Sequence, residues 1–219
     1  MQLKENDIAK EIAELERGLK ILNIAYNKSV LRKFQKYIEI LYQYKGKIHL
    51  ISHQDYSRIS KRHFLTSLIS LPYIKNHNYA CDIGTGAGFP SIPLKILCPR
   101  INFTLFESKK KKAEFLKRLI DELDLSEIKV IDSRAEDYES GNFDLILIKA
   151  AGKIKKLIKV IDLLLAPNGC VILYKSHKIK NEMKIGEKEL KKRRFEVQVE
   201  KLVTPIENLP LALVILKKV

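Results

Sequence analysis

The chain has 219 residues, of which 46% are hydrophobic and 31% are charged. This length and balance predict one compact domain with an appended segment, and they exclude the collagen-like, intrinsically disordered and disulfide-stapled classes. The 41 Lys and Arg residues outnumber the 26 Asp and Glu residues, which gives a formal net charge of +15 and predicts a polyanionic partner.

No segment of the sequence is apolar for long enough to cross a membrane. The charge-free runs, such as 64–74 and 163–174, have at most 12 residues and are shorter than the roughly 20 residues that a bilayer span needs. The N-terminus lacks the apolar core of a secretory signal, so we expect a cytoplasmic protein. Cys81, Cys98 and Cys170 are odd in number and widely spaced, which predicts reduced, mostly buried thiols and neither a disulfide framework nor a zinc site.

Residues 1–75 are predicted to form a helical N-terminal extension. Apolar residues recur at the spacing of one helix face over 8–22 and again over 30–42,. Ser29 is the expected N-cap of the second helix, and Gly46 is its expected end. The histidines of this extension are expected at the surface or against the RNA backbone and not in a metal site. Its tyrosines are expected to pack in the core or in an interface.

From Tyr79 onward, short apolar runs alternate with amphipathic helices, as is typical of a parallel sheet covered on both faces. The runs at 195–202 and 211–216 have no long helix between them, so we expect them to pair antiparallel. Residues 76–219 are therefore predicted to form an α/β domain. The other predicted strands are 79–83, 101–107, 128–132, 143–148 and 169–175.

The first predicted strand runs into a glycine-rich turn, D-I-G-T-G-A-G-F-P, which begins at Asp82 and continues into a helical stretch after Phe89. A strand, a tight glycine turn and a helix bring a ligand against bare backbone at the carboxyl edge of a sheet. The spacing G-x-G-x-G departs from the dinucleotide fingerprint G-x-G-x-x-G, which argues against NAD. The glycines are Gly84, Gly86 and Gly88.

Two carboxylates indicate the ligand of this turn. Glu107 ends the second strand, where a carboxylate can accept hydrogen bonds from the hydroxyls of a ribose. Asp82 stands directly before the turn and suits a ligand that also carries an ammonium group. S-adenosylmethionine combines ammonium, ribose and adenine without a phosphate, so it is the cofactor that we predict.

The basic residues form clusters at 109–118, 149–159 and 175–194. Clustering favours a phosphate-binding surface over a merely solvated face, although a genome rich in A and T would also raise the Lys content. Cations are disfavoured at a helix N-terminus, so the run at the start of the predicted helix that contains Phe115 to Leu123 indicates a functional demand. That run, a candidate RNA-binding site, consists of Lys109, Lys110, Lys111 and Lys112.

Four segments between Leu41 and Lys175 carry a resemblance to a known family. They are the glycine turn, F-E-S-K-K-K-K-A-E-F-L-K-R, S-R-A-E-D and the upstream R-H-F-L-T-S-L. The chain resembles the bacterial 16S ribosomal RNA guanine-N7 methyltransferases, also called glucose-inhibited division protein B. The resemblance implies a class I, Rossmann-like S-adenosylmethionine-dependent methyltransferase with a mostly parallel seven-stranded sheet. It also implies methylation of N7 of one guanine in the decoding-site loop of 16S rRNA, in free form or in the small ribosomal subunit.

The resemblance also implies site residues. Lys149 stands where the family has Arg, and Thr66 stands where an Asp is usual. Lys keeps the positive charge of Arg but lacks its forked pair of donors.

Arg62 is a further candidate RNA contact. Arg134 is either a loop ion-pair partner of Glu136 or Asp137 or a residue near the cofactor or RNA. We therefore take Lys149 and Arg134 as candidate catalytic residues, and the family's cofactor contacts fall on Gly84, Phe89, Ala135, Glu136 and Lys149.

The predicted end of the fourth strand, Ile148 to Ala151, lacks the Asp/Asn-Pro-Pro-aromatic motif and the cysteine nucleophile of other nucleic-acid methyltransferases. Guanine N7 has a free lone pair and no proton, so its methylation needs neither a general base nor a covalent step. Two alternatives stay open: a methyltransferase for another RNA position or a ribosomal protein, and a non-catalytic RNA-binding or nucleotide-sensing relative. We expect a monomer.

Overall fold

The computed structural model describes residues 5–139, 141–149 and 152–218. Its first part is helical and, besides two short turns, holds four helices: α1 (Glu5–Ile21), α2 (Lys28–Gln43), α3 (Thr66–Leu68) and α4 (Leu71–Ile74). A 3-10 turn (His53–Ser57) and a π-helical turn (Ser60–Leu65) precede α3.

The predicted N-cap of the second helix was wrong. Asn27, and not Ser29, has the extended backbone of a cap, and its Oδ1 accepts a hydrogen bond from the N–H of Val30 at 3.0 Å. Asn and Ser are both good caps, so residue preference alone does not distinguish position 27 from position 29. The helix itself ends at Gln43, and Gly46 follows with a positive φ of 82°.

Seven strands form one sheet at the centre of the molecule. They are β1 (Tyr79–Ile83), β2 (Asn102–Phe106), β3 (Ile128–Ile131), β4 (Phe143–Lys149), β5 (Leu165–Ser176), β6 (Phe195–Val203) and β7 (Pro210–Lys218). Their order in the sheet is β3-β2-β1-β4-β5-β7-β6. The first five strands are parallel, and β7 runs antiparallel to both β5 and β6. The predicted α/β class, the mostly parallel sheet and the antiparallel tail are therefore confirmed.

Helices cover both faces of this sheet because its central strands are apolar on both sides. Four further helices lie in this part of the chain: α5 (Ser91–Leu97), α6 (Lys110–Glu122), α7 (Ile154–Leu164) and α8 (Lys180–Lys192). On β4, Leu145 and Leu147 face a core that also contains residues of α1, α2, α5 and α6, whereas Ile146 and Ile148 face a core under α7 and α8. Within the described ranges, no helix is long and apolar enough to cross a bilayer.

The strand order places a topological switch point at the carboxyl end of β1. The chain leaves β1 toward β2 and β3, and it then returns to the other side of β1 to form β4. Ligands of open parallel sheets bind at such a switch point, outside the carboxyl ends of the strands. The glycine turn follows β1 and therefore lies at this point.

Candidate functional site

The glycine turn adopts backbone conformations that favour glycine. Gly84, Gly86 and Gly88 have φ values of 70°, 63° and 99°, in the left-handed region. A Cβ on Gly86 would meet nothing closer than 4.0 Å, so the backbone there faces open space. A Cβ on Gly88 would lie 2.6 Å from the Ile92 side chain and 2.8 Å from the Tyr37 hydroxyl. One glycine therefore leaves room for a ligand, and the other allows close packing beneath the turn.

Tyr37, on α2, supports the glycine turn from below. Its hydroxyl donates a hydrogen bond to the carbonyl oxygen of Ala87 at 2.5 Å, and its ring stacks on Phe89 with the centroids 5.5 Å apart. The side chain is fully buried. Sequence reasoning identified Tyr37 only as a packing residue, because one sequence gives no signal for a hydrogen bond across 50 residues.

Glu107 connects the end of β2 to the same turn. Its Oε2 accepts a hydrogen bond from the N–H of Gly86 at 3.0 Å, and its Oε1 accepts one from the N–H of Lys109 at 2.9 Å. Each carboxylate oxygen has a second lone pair, so Glu107 can still accept hydrogen bonds from a ribose. The structure thus places Glu107, the predicted ribose-binding residue, next to the glycines predicted to contact the cofactor.

Asp82 is fully buried beneath the turn. Its Oδ2 accepts a hydrogen bond from the Ser91 hydroxyl at 2.5 Å, whereas its Oδ1 has no hydrogen-bond partner among the described residues. Desolvation by burial raises the pKa of Asp82 to about 7. A buried carboxylate oxygen without a donor fits a ligand that brings a positive group, so the residues present fit S-adenosylmethionine.

Lys149, at the end of β4, joins this strand to the π-helical turn. Its Nζ lies 3.3 Å from the carbonyl oxygen of His63, 3.2 Å from the Ser67 hydroxyl and 5.3 Å from the ring centroid of Phe89. Desolvation lowers the pKa of Lys149 to about 7, against the attraction of Asp82 and, more weakly, Asp55. Ala150 and Ala151, which continue the predicted motif, lie outside the described residues.

His63 also lies at the site, which sequence reasoning missed. Its ring stacks on Phe89 with the centroids 4.6 Å apart and the planes 16° from parallel. Desolvation first, and then the charge of Lys149, lowers the pKa of His63 to about 3, so the imidazole is neutral at pH 7. The signal that the sequence offered was the position of His63 in R-H-F-L-T-S-L. This segment packs directly against the glycine turn.

The residues predicted after β3 are placed differently. Ala135 is buried at the start of a 3-10 turn (Ala135–Asp137), and Arg134 and Glu136 are exposed. Within that described turn, Arg134 forms no ion pair with Glu136 or Asp137. The loop ion pair is therefore wrong, and the roles of these residues toward cofactor or RNA stay predictions.

The candidate RNA contacts divide into exposed and engaged side chains. Lys109, Lys110 and Lys111 are exposed and Lys112 is half-buried, and the first turn of α6 holds no acid. Arg62 is not free, since its Nε lies 3.5 Å from Asp55 and 3.7 Å from Glu207. Among the described residues, no group of three or more His, Cys, Asp or Glu side chains is arranged to hold a metal ion.

Comparisons with known proteins agree with this geometry. A family model described as GidB, rRNA small subunit methyltransferase G, matches residues 30–209. A curated relative from Thermoanaerobacter pseudethanolicus, named ribosomal RNA small subunit methyltransferase G, is 32% identical over 218 residues, covering 96% of this chain and 91% of the relative. One of the same name from Staphylococcus carnosus is 33% identical over 185 residues, covering 81% of this chain and 74% of the relative.

Solved structures show the same fold at low sequence identity. The structure of M. jannaschii TYW2 in complex with AdoMet matches with a TM-score of 0.57 and 18% identity, over 79% of this chain and 78% of that chain. A likeness at this identity shows the architecture alone, which is that of class I methyltransferases.

Proposed function

Because the chain belongs to the GidB family, rRNA small subunit methyltransferase G, and is an S-adenosylmethionine-dependent methyltransferase, we propose that it methylates N7 of one guanine in the decoding-site loop of 16S rRNA. The observation that carries this proposal is the family match over residues 30–209. The match spans the glycine turn, Glu107 and Lys149 together, so it covers every part of the candidate cofactor site.

The proposed roles of the cofactor-binding residues follow from their contacts. S-adenosylmethionine, when bound, supplies an electrophilic methyl group on a positively charged sulfur. Glu107 would hold the ribose hydroxyls, the unpartnered oxygen of Asp82 would face the ammonium group, and the bare backbone at Gly86 would allow close approach. Ala135 and Glu136 are the proposed contacts after β3.

The proposed reaction requires no side chain of this protein to act as a general acid or base. Guanine N7 presents a lone pair without a proton, so the protein's work is to align the nucleophile with the methyl group and to exclude water. Neutral His63 and the Nζ of Lys149 both lie against Phe89, where they would contact an entering planar base. Lys149 and Arg134 are the proposed catalytic residues.

The proposed partner is 16S rRNA or the small ribosomal subunit in the cytoplasm, and the proposed state of the protein is a monomer. The net charge of +15 and the exposed lysines at the start of α6 support a polyanionic partner. These lysines follow Glu107 directly, so they lie at the same edge of the sheet as the candidate cofactor site.

Mass spectrometry of nucleosides from small-subunit RNA, from cells with and without this gene, tests the proposal. We expect 7-methylguanosine to be lost without the gene and restored by the wild-type protein. Lys149→Ala should restore it poorly and Lys149→Arg well, while Lys217→Ala, at an exposed lysine outside the three basic clusters, is the control. A different methylated nucleoside, or a methylated ribosomal protein, would instead support a methyltransferase for another RNA position or for a ribosomal protein.

A further inference from the structure

The loop 204–209, which joins β6 to β7, lies at the carboxyl edge of the sheet. Leu211 of β7 pairs with Ser176 at the end of β5, and Tyr174 of β5 pairs with Lys149. The loop is compact, because the N–H groups of Leu209 and Asn208 both donate hydrogen bonds to Thr204 at 3.0 Å. The topology therefore places this loop on the side of the candidate cofactor site where Lys149 lies.

Glu207 of this loop contacts two arginines, Arg58 and Arg62. Nε and Nη2 of Arg58 lie 2.7 and 2.6 Å from Oε1 of Glu207, and Nε of Arg62 lies 3.7 Å from its Oε2. Arg58 and Arg62 are one turn apart, and their side chains keep 40% and 38% of their exposure, whereas Glu207 keeps only 9%. Two partly exposed guanidinium groups thus converge on one buried carboxylate.

The contact is incomplete. Oε2 of Glu207 and Nε of Arg62 are buried and have no hydrogen-bond partner within the described part of the chain, and Asp55 lies 3.5 Å from that Nε without a hydrogen bond. Leaving buried charged atoms unbonded is unfavourable. A phosphodiester offers two non-bridging oxygens, one for each guanidinium, and forked donors match this geometry.

We propose that Arg58 and Arg62 form a binding site for one phosphate of the RNA backbone, and that Glu207 occupies this site until RNA displaces it. The inference rests on the proposed function, since it takes RNA as the substrate. His63 follows Arg62 and stacks on Phe89, so a phosphate held here lies next to the glycine turn. Glu207 competes with the phosphate for the two arginines. RNA that binds weakly and non-specifically therefore displaces it less readily than RNA that is also held by further contacts.

The test compares Glu207→Gln with Glu196→Gln, using small-subunit RNA transcribed in vitro as the probe. Both variants remove one negative charge from the β6–β7 hairpin, but Glu196 is exposed near the other end of β6. We expect Glu207→Gln to bind the RNA about fivefold more tightly at low salt, and the control to change affinity less than about twofold. Adding Arg58→Gln to Glu207→Gln should abolish the gain.

The salt dependence gives a second readout. In the wild type, the phosphate frees the Glu207 carboxylate, which attracts a cation while the RNA gives one up, so the net release of counterions at this site is small. In Glu207→Gln no carboxylate is freed and the cation held by that phosphate is released in full, so the slope of log K against log salt should steepen by about one. Equal affinities and slopes for Glu207→Gln and Glu196→Gln would overturn the inference.

A measurement on the wild-type protein guards against misfolding of the variants. RNA binding should speed hydrogen exchange of the Asn208 and Leu209 amides, because the loop is released when Glu207 leaves the arginines. Unchanged exchange in the RNA complex would also overturn the inference. Nucleoside analysis separates the two proposals. If small-subunit RNA from cells that carry the wild-type gene lacks 7-methylguanosine, the proposed function is refuted, whereas normal methylation with no effect of Glu207→Gln on RNA binding refutes only this site.

Discussion

Asp82 shows how one buried side chain shapes the site. It is fully buried, and its hydrogen bonds from Ser91 do not offset desolvation, so its folded-state pKa lies at about 7. The carboxyl group is then partly protonated at neutral pH in the free protein. A positive ligand group favours the ionised form, so we expect cofactor binding near pH 7 to release a fraction of a proton.

Asp82→Asn should change the dependence of stability on pH. Because burial raises the folded-state pKa of Asp82, the folded state binds more protons than the unfolded state between about pH 4 and 7,. This stability is fully present below the unfolded pKa and is lost as pH rises toward 7. Lys149 is protonated in both states over pH 4–6, since its lowered pKa is about 7. Urea unfolding of wild type and variant should therefore show the variant gaining relative stability from pH 4.5 to 6.5; parallel curves would contradict this.

Tyr37→Phe tests the hydrogen bond to the glycine turn alone, because Phe keeps the packing of the ring and removes only the hydroxyl. The change leaves the buried carbonyl of Ala87 without its donor, so we expect a loss of about 1–3 kcal/mol in the free energy of unfolding. The control is Tyr42→Phe, which removes a similar bond to the Tyr56 carbonyl at 2.7 Å. Calorimetry should show weaker S-adenosylmethionine binding for Tyr37→Phe only. Equal affinities would make Tyr37 an ordinary core residue.

At the scale of the element, α6 has an unfavourable N-terminus. Lys109, Lys110, Lys111 and Lys112 stand at the positive end of the helix dipole, and the first turn has no acid,. Changing all four to Gln should therefore raise the free energy of unfolding by about 0.3–1 kcal/mol while weakening RNA binding and flattening its salt slope.

The matched control for this prediction changes four exposed lysines outside the three basic clusters to Gln. If both quadruple variants weaken RNA binding equally, the total charge of the protein determines the RNA affinity and the position of the lysines on α6 does not. The control lysines are Lys10, Lys20, Lys28 and Lys217.

The other end of α6 is capped from α2. Nζ of Lys33 donates hydrogen bonds to the carbonyl oxygens of Leu123 and Asp124, the latter at 2.8 Å. Lys36 instead forms an exposed ion pair with Glu122 at 3.0 Å. We expect Lys33→Met to cost about 1–2 kcal/mol in urea unfolding, and Lys36→Met to cost less than about 0.5 kcal/mol. Similar losses would show that the cap contributes no more than a surface ion pair.

The sequence predicted those elements whose signal is local. β1 and α5 begin and end where the apolar runs do, and the glycine turn follows from residues whose backbone freedom is visible in the sequence. β5 was predicted from Gly169 but begins at Leu165, because Leu165 pairs with Phe143 across a register shift. That pairing depends on the neighbouring strand and leaves no local pattern.

The contacts that complete the site are long-range, and this is why sequence reasoning missed them. Tyr37 lies 50 residues from Ala87, His63 lies 86 residues from Lys149, and Arg58 lies 149 residues from Glu207. Periodicity indicates which face of a helix is buried but not which backbone atom a buried hydroxyl meets. Arg62 was accordingly predicted as an RNA contact without its two acidic neighbours.

At the scale of the whole molecule, the helical extension and the sheet share one core. Leu15, Phe34 and Phe64 belong to the same buried cluster as Leu105 and Leu147 of the sheet. We propose that the boundary between 1–75 and 76–219 divides the chain by sequence pattern and not into independently folding units.

A fragment of residues 76–219 should therefore fail to fold alone. Each large apolar side chain that loses its cover forfeits about 1.5–3 kcal/mol, and a domain has only about 5–15 kcal/mol of stability in total. Without α2, the glycine turn also loses Tyr37. We expect the fragment to show no cooperative urea transition and no S-adenosylmethionine binding by calorimetry, while the full chain unfolds in one transition. Adding a separate 1–75 fragment should restore cofactor binding in proportion to its concentration. A cooperative transition of 76–219 alone would instead make the extension an accessory domain, with the cofactor site stable without it.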